Sequence, residues 1–63
     1  MSLESAVKLA RKWPGDHSVP RKLAEMIARA KGVEKVRMQS MVEALEWAAR
    51  TDEEHELIDR HFG

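Results

Sequence analysis

The amino-acid sequence predicts an all-α fold, a small bundle of three to four short helices, with homodimerisation expected to complete it. Three observations carry this. Apolar residues recur every three to four positions over most of the chain, the period of a helix with one buried face. No stretch alternates apolar and polar residues for long enough to make a strand. The prolines and internal glycines stand at the edges of the periodic stretches rather than inside them. A chain of 63 residues holds a single domain, 1–63, with one core. Domains of this length bury only about 60% of the surface their unfolded chain exposes. With no cysteine there is neither a disulfide nor a cysteine zinc site to compensate, which leaves self-association as the remaining source of stability.

In the first stretch, Leu3, Ala6, Val7, Ala10 and Trp13 share a face, with Glu4, Lys8, Arg11 and Lys12 opposite, so a helix is expected over 2–13. Pro14 disfavours helical backbone at Trp13, and Gly15 permits a sharp turn. The segment GDHSVP is too short and too rich in turn formers for a strand. Ser18 and Pro20 mark the opening of a second helix. It is expected over about 20–31, with Leu23, Met26, Ile27 and Ala30 as its stripe and Gly32 as a left-handed cap.

From about Glu34 a third helix shows Met38, Met41, Val42, Leu45 and Ala49 on one face over three turns. Val36, Ser40 and Trp47 fall on the opposite face. Trp47 therefore either packs against another helix of the chain or anchors a partner. Thr51 and Glu54 have capping-box spacing, and acids crowd the first turn that follows, so a last helix is expected over 52–62 with Leu57, Ile58 and Phe62. No helix breaker stands between Ala49 and Asp52, so a single rod through both helices is the alternative. The expected core is Leu3, Val7, Trp13, Leu23, Met26, Ile27, Val33, Met38, Met41, Val42, Leu45, Leu57, Ile58 and Phe62.

The net charge is zero, but the halves differ. Residues 1–38 carry nine Lys/Arg against four acids, and residues 39–63 two against seven. Either the halves neutralise each other, or the basic half receives an acidic partner or DNA. The opening residues have no long apolar run behind a basic start, so neither a secretion signal nor a membrane span is expected. The first helix is basic and ends in Trp13, but its alanine-rich stripe is too small for a membrane-surface helix. A cytoplasmic location is the expectation, and the absence of cysteine fits a reducing compartment.

Catalysis is not expected, because a nucleophile needs a base within reach, a group to orient that base, and a cleft that excludes water. There is no Cys or Tyr, and of the serines only Ser18 has a histidine beside it. His55 and Asp59 share a helix face, but the zincin pattern needs His at both positions, and His61 falls on another face. The glycines are isolated, so no phosphate loop is present. Neither a metal nor a cofactor is expected.

The stretch IARAKGVEKVRMQSMVEAL resembles the helix-turn-helix pattern, with Ile27, Ala28, Gly32, Val33, Met38 and Met41 at the matching places. The resemblance covers about 19 of the 63 residues. It implies a second helix in the major groove, offering Lys35, Arg37, Gln39 and Ser40 to phosphates and base edges. Glu34, Glu43 and Glu46 on that helix would oppose phosphate, and an ordinary packing corner is the other reading of the same residues. The favoured function is a non-enzymatic protein-interaction or regulatory module, homo-oligomeric, that binds a protein partner of acidic character. Trp47 is its expected apolar anchor, and Lys8, Arg11, Lys12, Arg21 and Arg29 its basic face. The alternative is a small DNA-binding regulator that uses the helix starting near residue 34.

Overall fold

The computed structural model describes residues 3–62. Ser2, where the first helix was expected to begin, lies outside them, as do Met1 and Gly63 at the two ends of the expected domain. Four helices follow one another: α1 (Leu3–Ala10), α2 (Val19–Arg29), α3 (Gly32–Ala48) and α4 (Asp52–Phe62). No strand occurs among the described residues. Helix α2 packs on the other three and α3 does the same, whereas α1 and α4 do not meet. The Cα radius of gyration is 10.7 Å, against about 10.6 Å expected for a compact chain of this length.

Helix α1 stops three residues short of the expected end. Beyond Ala10 the chain tightens, with Lys12 N–H donating to Leu9 O and Trp13 N–H to Ala10 O, both at 3.1 Å. Such i to i−3 bonds close a helix end, and they carry Trp13 into the core before the cis bond to Pro14. Helix α2 opens at Val19 and Pro20, but Ser18 does not cap it with its side chain. Instead the Ser18 N–H and Oγ–H both donate to Asp16 Oδ1, at 2.9 and 2.6 Å. The Asx turn belongs to Asp16, which competes for the hydroxyl that would otherwise cap the helix.

Gly32 adopts the left-handed conformation, φ +64°, but as the first residue of α3. Ala30, extended and buried, ends α2. A Cβ at Gly32 would meet nothing within 4 Å, so backbone conformation rather than space calls for glycine there. Helices α3 and α4 are separate. Ala49 is extended, the Glu54 N–H donates to Thr51 Oγ1 at 3.1 Å, and Glu54 Oε1 accepts the Arg50 N–H at 2.7 Å. Half of the expected capping box forms as drawn; the returning carboxylate reaches one residue further back, to Arg50 instead of Thr51.

The core holds Ala6, Trp13, Val19, Leu23, Ala30, Met38, Leu45 and Ile58. Leu3, Met26, Ile27, Met41, Val42, Leu57 and Phe62 are partly buried against it, and Val7 is half-buried. Val33 departs from the expected core, at 68% exposure. The reason is angular phase: Met38 and Leu45 set the inward direction of α3, and Val33 stands about 120–140° away from them around the helix. Val19 was hidden in a segment read as loop, yet it begins α2 and is fully buried.

Candidate functional site

Two polar ties fix the bundle and so position its surfaces. Trp13 Nε1–H donates to the Leu45 carbonyl at 2.8 Å inside the core, and the same oxygen accepts the Ala49 N–H at 3.0 Å. His17 Nε2 lies 3.0 Å from Glu54 Oε2, and the His17 ring stands 5.7 Å from that of Trp13. The connection between α1 and α2 is thereby pinned to the junction of α3 and α4. Glu54 is 8% exposed. The Arg50 N–H first, and then the hydrogen bond from His17, hold its carboxyl below the usual carboxylate range. Neither His17 nor Glu54 was singled out from the sequence for this role, since only folding brings them together. Ser18 offers its hydroxyl to Asp16 and not to His17. Asp16 is likewise held low, chiefly by the Ser18 hydroxyl and then the Ser18 N–H.

The first surface is a groove of about 420 Å³ between α1 and α2, lined by Ser5, Lys8, Leu9, Lys12, Lys22, Glu25, Met26 and Arg29. Its floor is apolar, Leu9 and Met26 both being partly buried against the core. Of the basic residues singled out from the sequence, Lys8, Lys12 and Arg29 converge on it. Arg21 does not line it, although it lies 3.6 Å from Glu25, which does. Arg11 is exposed and does not line the groove either. Lys22, not foreseen, completes the rim, and helical spacing from Met26 and Arg29 was the signal that could have found it. Lys8 is 3.7 Å from Glu4, whereas Lys12, Lys22 and Arg29 make no salt bridge among the described residues.

The second surface is the outward face of α3. Trp47 is 89% exposed and Val36 64%, so neither packs within the chain. A hollow of about 650 Å³ beside Trp47 is lined by Glu43, Glu46, Ala49 and His55, and it shares no residue with the basic groove. Arg37, Gln39 and Ser40 are exposed and Lys35 is half-buried. At about 100° per residue Arg37 and Gln39 stand about 160° apart around the helix, so the four do not share one face. The strip between them carries Val33, Val36 and Trp47.

Among the described residues no group of three His, Cys, Asp or Glu could hold a metal ion, and His55 and Asp59 are both exposed. No helix among them is long and apolar enough to cross a membrane. Comparison of the chain with protein-family models, with curated proteins and with solved structures found no match, so a functional reading starts from these two surfaces.

Proposed function

We propose that the protein is a non-enzymatic interaction module whose α1–α2 groove takes an acidic, amphipathic helical segment of another protein. The observation that carries this is the combination in the groove: an apolar floor of Leu9 and Met26 beneath a rim on which Lys8, Lys12, Lys22 and Arg29 outnumber a single acid, Glu25, itself 3.6 Å from Arg21. An apolar stripe on the incoming helix fills the floor while its flanking carboxylates meet the rim, the helix-in-groove mode of recognition. The cations steer the encounter and set its salt dependence, and the apolar floor supplies the holding energy. A cysteine-free module of this kind suits a reducing compartment such as the cytoplasm.

DNA binding through α3 is the competing reading, favoured by the exposure of Arg37, Gln39 and Ser40. Against it, the strip between Arg37 and Gln39 carries Val33, Val36, Trp47 and the carboxylate of Glu43, whereas phosphate contacts dominate DNA affinity. The test uses a synthetic acidic amphipathic helix and a random duplex, each fluorescently labelled, titrated at about 50 and 200 mM salt. The expected result is peptide binding that weakens at least about tenfold in a Lys12→Glu, Arg29→Glu variant. Arg11→Glu, off the groove, should change it little. Duplex binding that is steeply salt-dependent and lost in Arg37→Ala would replace the groove reading with the DNA one.

A further inference from the structure

Helix α3 is the longest of the four, yet among the described residues it alone carries no ion pair along its own length. Helices α1, α2 and α4 each have one at i,i+4, Glu4–Lys8, Arg21–Glu25 and Glu56–Arg60. Among the described residues, Lys35, Arg37, Glu43 and Glu46 of α3 make none. Glu34 and Arg37, three residues apart, are left unpaired as well, and no opposite charges on the helix are four apart. Four residues beyond Glu34, Lys35, Arg37 and Glu43 stands an uncharged residue, and Arg50, four beyond Glu46, lies past the end of the helix. Acids also occupy its C-terminal half, and its last turn holds no base, so this end opposes the helix macrodipole. The outward stripe runs Val33, Val36, Ser40, Glu43 and Trp47, the three-and-four spacing of a helix seam. The opposite face of α3 is already spent on the core through Met38 and Leu45.

We propose that this stripe is the interface of an antiparallel homodimer, with a two-fold axis passing between Ser40 and Glu43. The stripe is complementary to itself in that orientation alone. In an antiparallel pair the two kinds of seam position face each other, so Val36 meets Trp47 of the second copy, and Glu43 meets the second copy's Ser40 with its Arg37 alongside. A parallel pair sets Glu43 against Glu43, like charges in an apolar seam. Small Ser40 and Ala44 let the helices approach closely at the crossing. The Ser40 hydroxyl, which donates to Arg37 O at 2.7 Å, is free to turn toward the carboxylate. Trp47 alone brings roughly 150–250 Å² of contact surface, and symmetry doubles it. A helix of 17 residues, about 25 Å long, then gives an interface near the lower end of the specific range, about 1,200 Å². The result is a concentration-dependent dimer.

Sedimentation equilibrium of the full chain from about 1 µM to 1 mM tests this. The expected mass rises from 7.2 kDa toward twice that value. Trp47→Ala holds it at the monomer. Arg37→Glu and Glu43→Arg each weaken association about tenfold or more. An equimolar mixture of those two restores it, and so does the double exchange within one chain. That last result is peculiar to antiparallel pairing, because a parallel pair would set the two introduced arginines against each other. All these side chains are exposed, and an unchanged helical circular dichroism spectrum confirms the fold of each variant. A monomer at 1 mM, a dimer indifferent to Trp47→Ala, or failure of the double exchange to restore association overturns the proposal. The groove variant Lys12→Glu, Arg29→Glu leaves the dimer intact, so this inference and the groove reading stand or fall separately.

Discussion

The two tryptophans of this chain occupy opposite environments on the two sides of α3. Trp13 is 6% exposed, and its indole N–H donates to the carbonyl of Leu45. Trp47, two residues beyond Leu45, is 89% exposed and makes no hydrogen bond among the described residues. One side of α3 is consumed in joining the bundle. The other carries an equal aromatic payload with nothing to cover it. A domain this small cannot bury both faces of its longest helix, so the uncovered one is where an external contact gains most.

Replacing each tryptophan by alanine separates the two environments most sharply. Trp13→Ala should cost about 3–5 kcal/mol, enough to unfold so small a domain, whereas Trp47→Ala should stay within about 0.5 kcal/mol at monomer concentrations. Thermal unfolding followed by circular dichroism reads both, and equal losses would erase the contrast. Trp13→Phe is the milder probe. It keeps most of the packing and removes the bond to Leu45 O, for an expected loss of about 1 kcal/mol in urea unfolding.

The smallest effect concerns pH. A carboxyl held below its ordinary value of 4.5 contributes stability that is present above that value and lost as pH falls through the lower folded one. Glu54, held low by Arg50 N–H and His17, should therefore make the bundle weaken in acid below about pH 4.5, with Asp16 adding in the same direction. Glu54→Gln should flatten the acid limb of a melting-temperature profile; an unchanged limb would show that the tie contributes nothing there.

Three of the four helices were legible from their apolar period and a start or turn signal beside it, whereas the break between α3 and α4 had only the capping pair that opens α4 to mark it. Pro14 lies in the connection after α1 and the Thr51–Glu54 pair at the start of α4, while Gly32, expected to close α2, opens α3 instead. Phase was less legible. Helix α3 has apolar residues on both faces, so Val33 could be assigned inward until Met38 and Leu45 fixed the direction. The cap before α2 turned on a competition between Asp16 and Ser18 that composition does not rank. At the candidate site, residues on one helix could be grouped by spacing, but convergence between helices could not. Lys8, Lys12 and Arg29 meet across the α1–α2 groove, Arg11 and Arg21 stay off it, and Lys22 takes their place. His17 and Glu54, 37 positions apart, are likewise joined only by the tertiary fold.

The shared acceptor at Leu45 gives the molecule a built-in clock. Because the Trp13 indole hydrogen and the Ala49 amide hydrogen end on one oxygen, lifting the α1–α2 connection from α3 frees the first while the second keeps its helical bond. Their exchange with deuterium therefore separates detachment of that connection from fraying of the end of α3. Below the concentration at which the chain pairs, the indole hydrogen of Trp47, on a side chain 89% exposed, serves in the same sample as the unprotected standard.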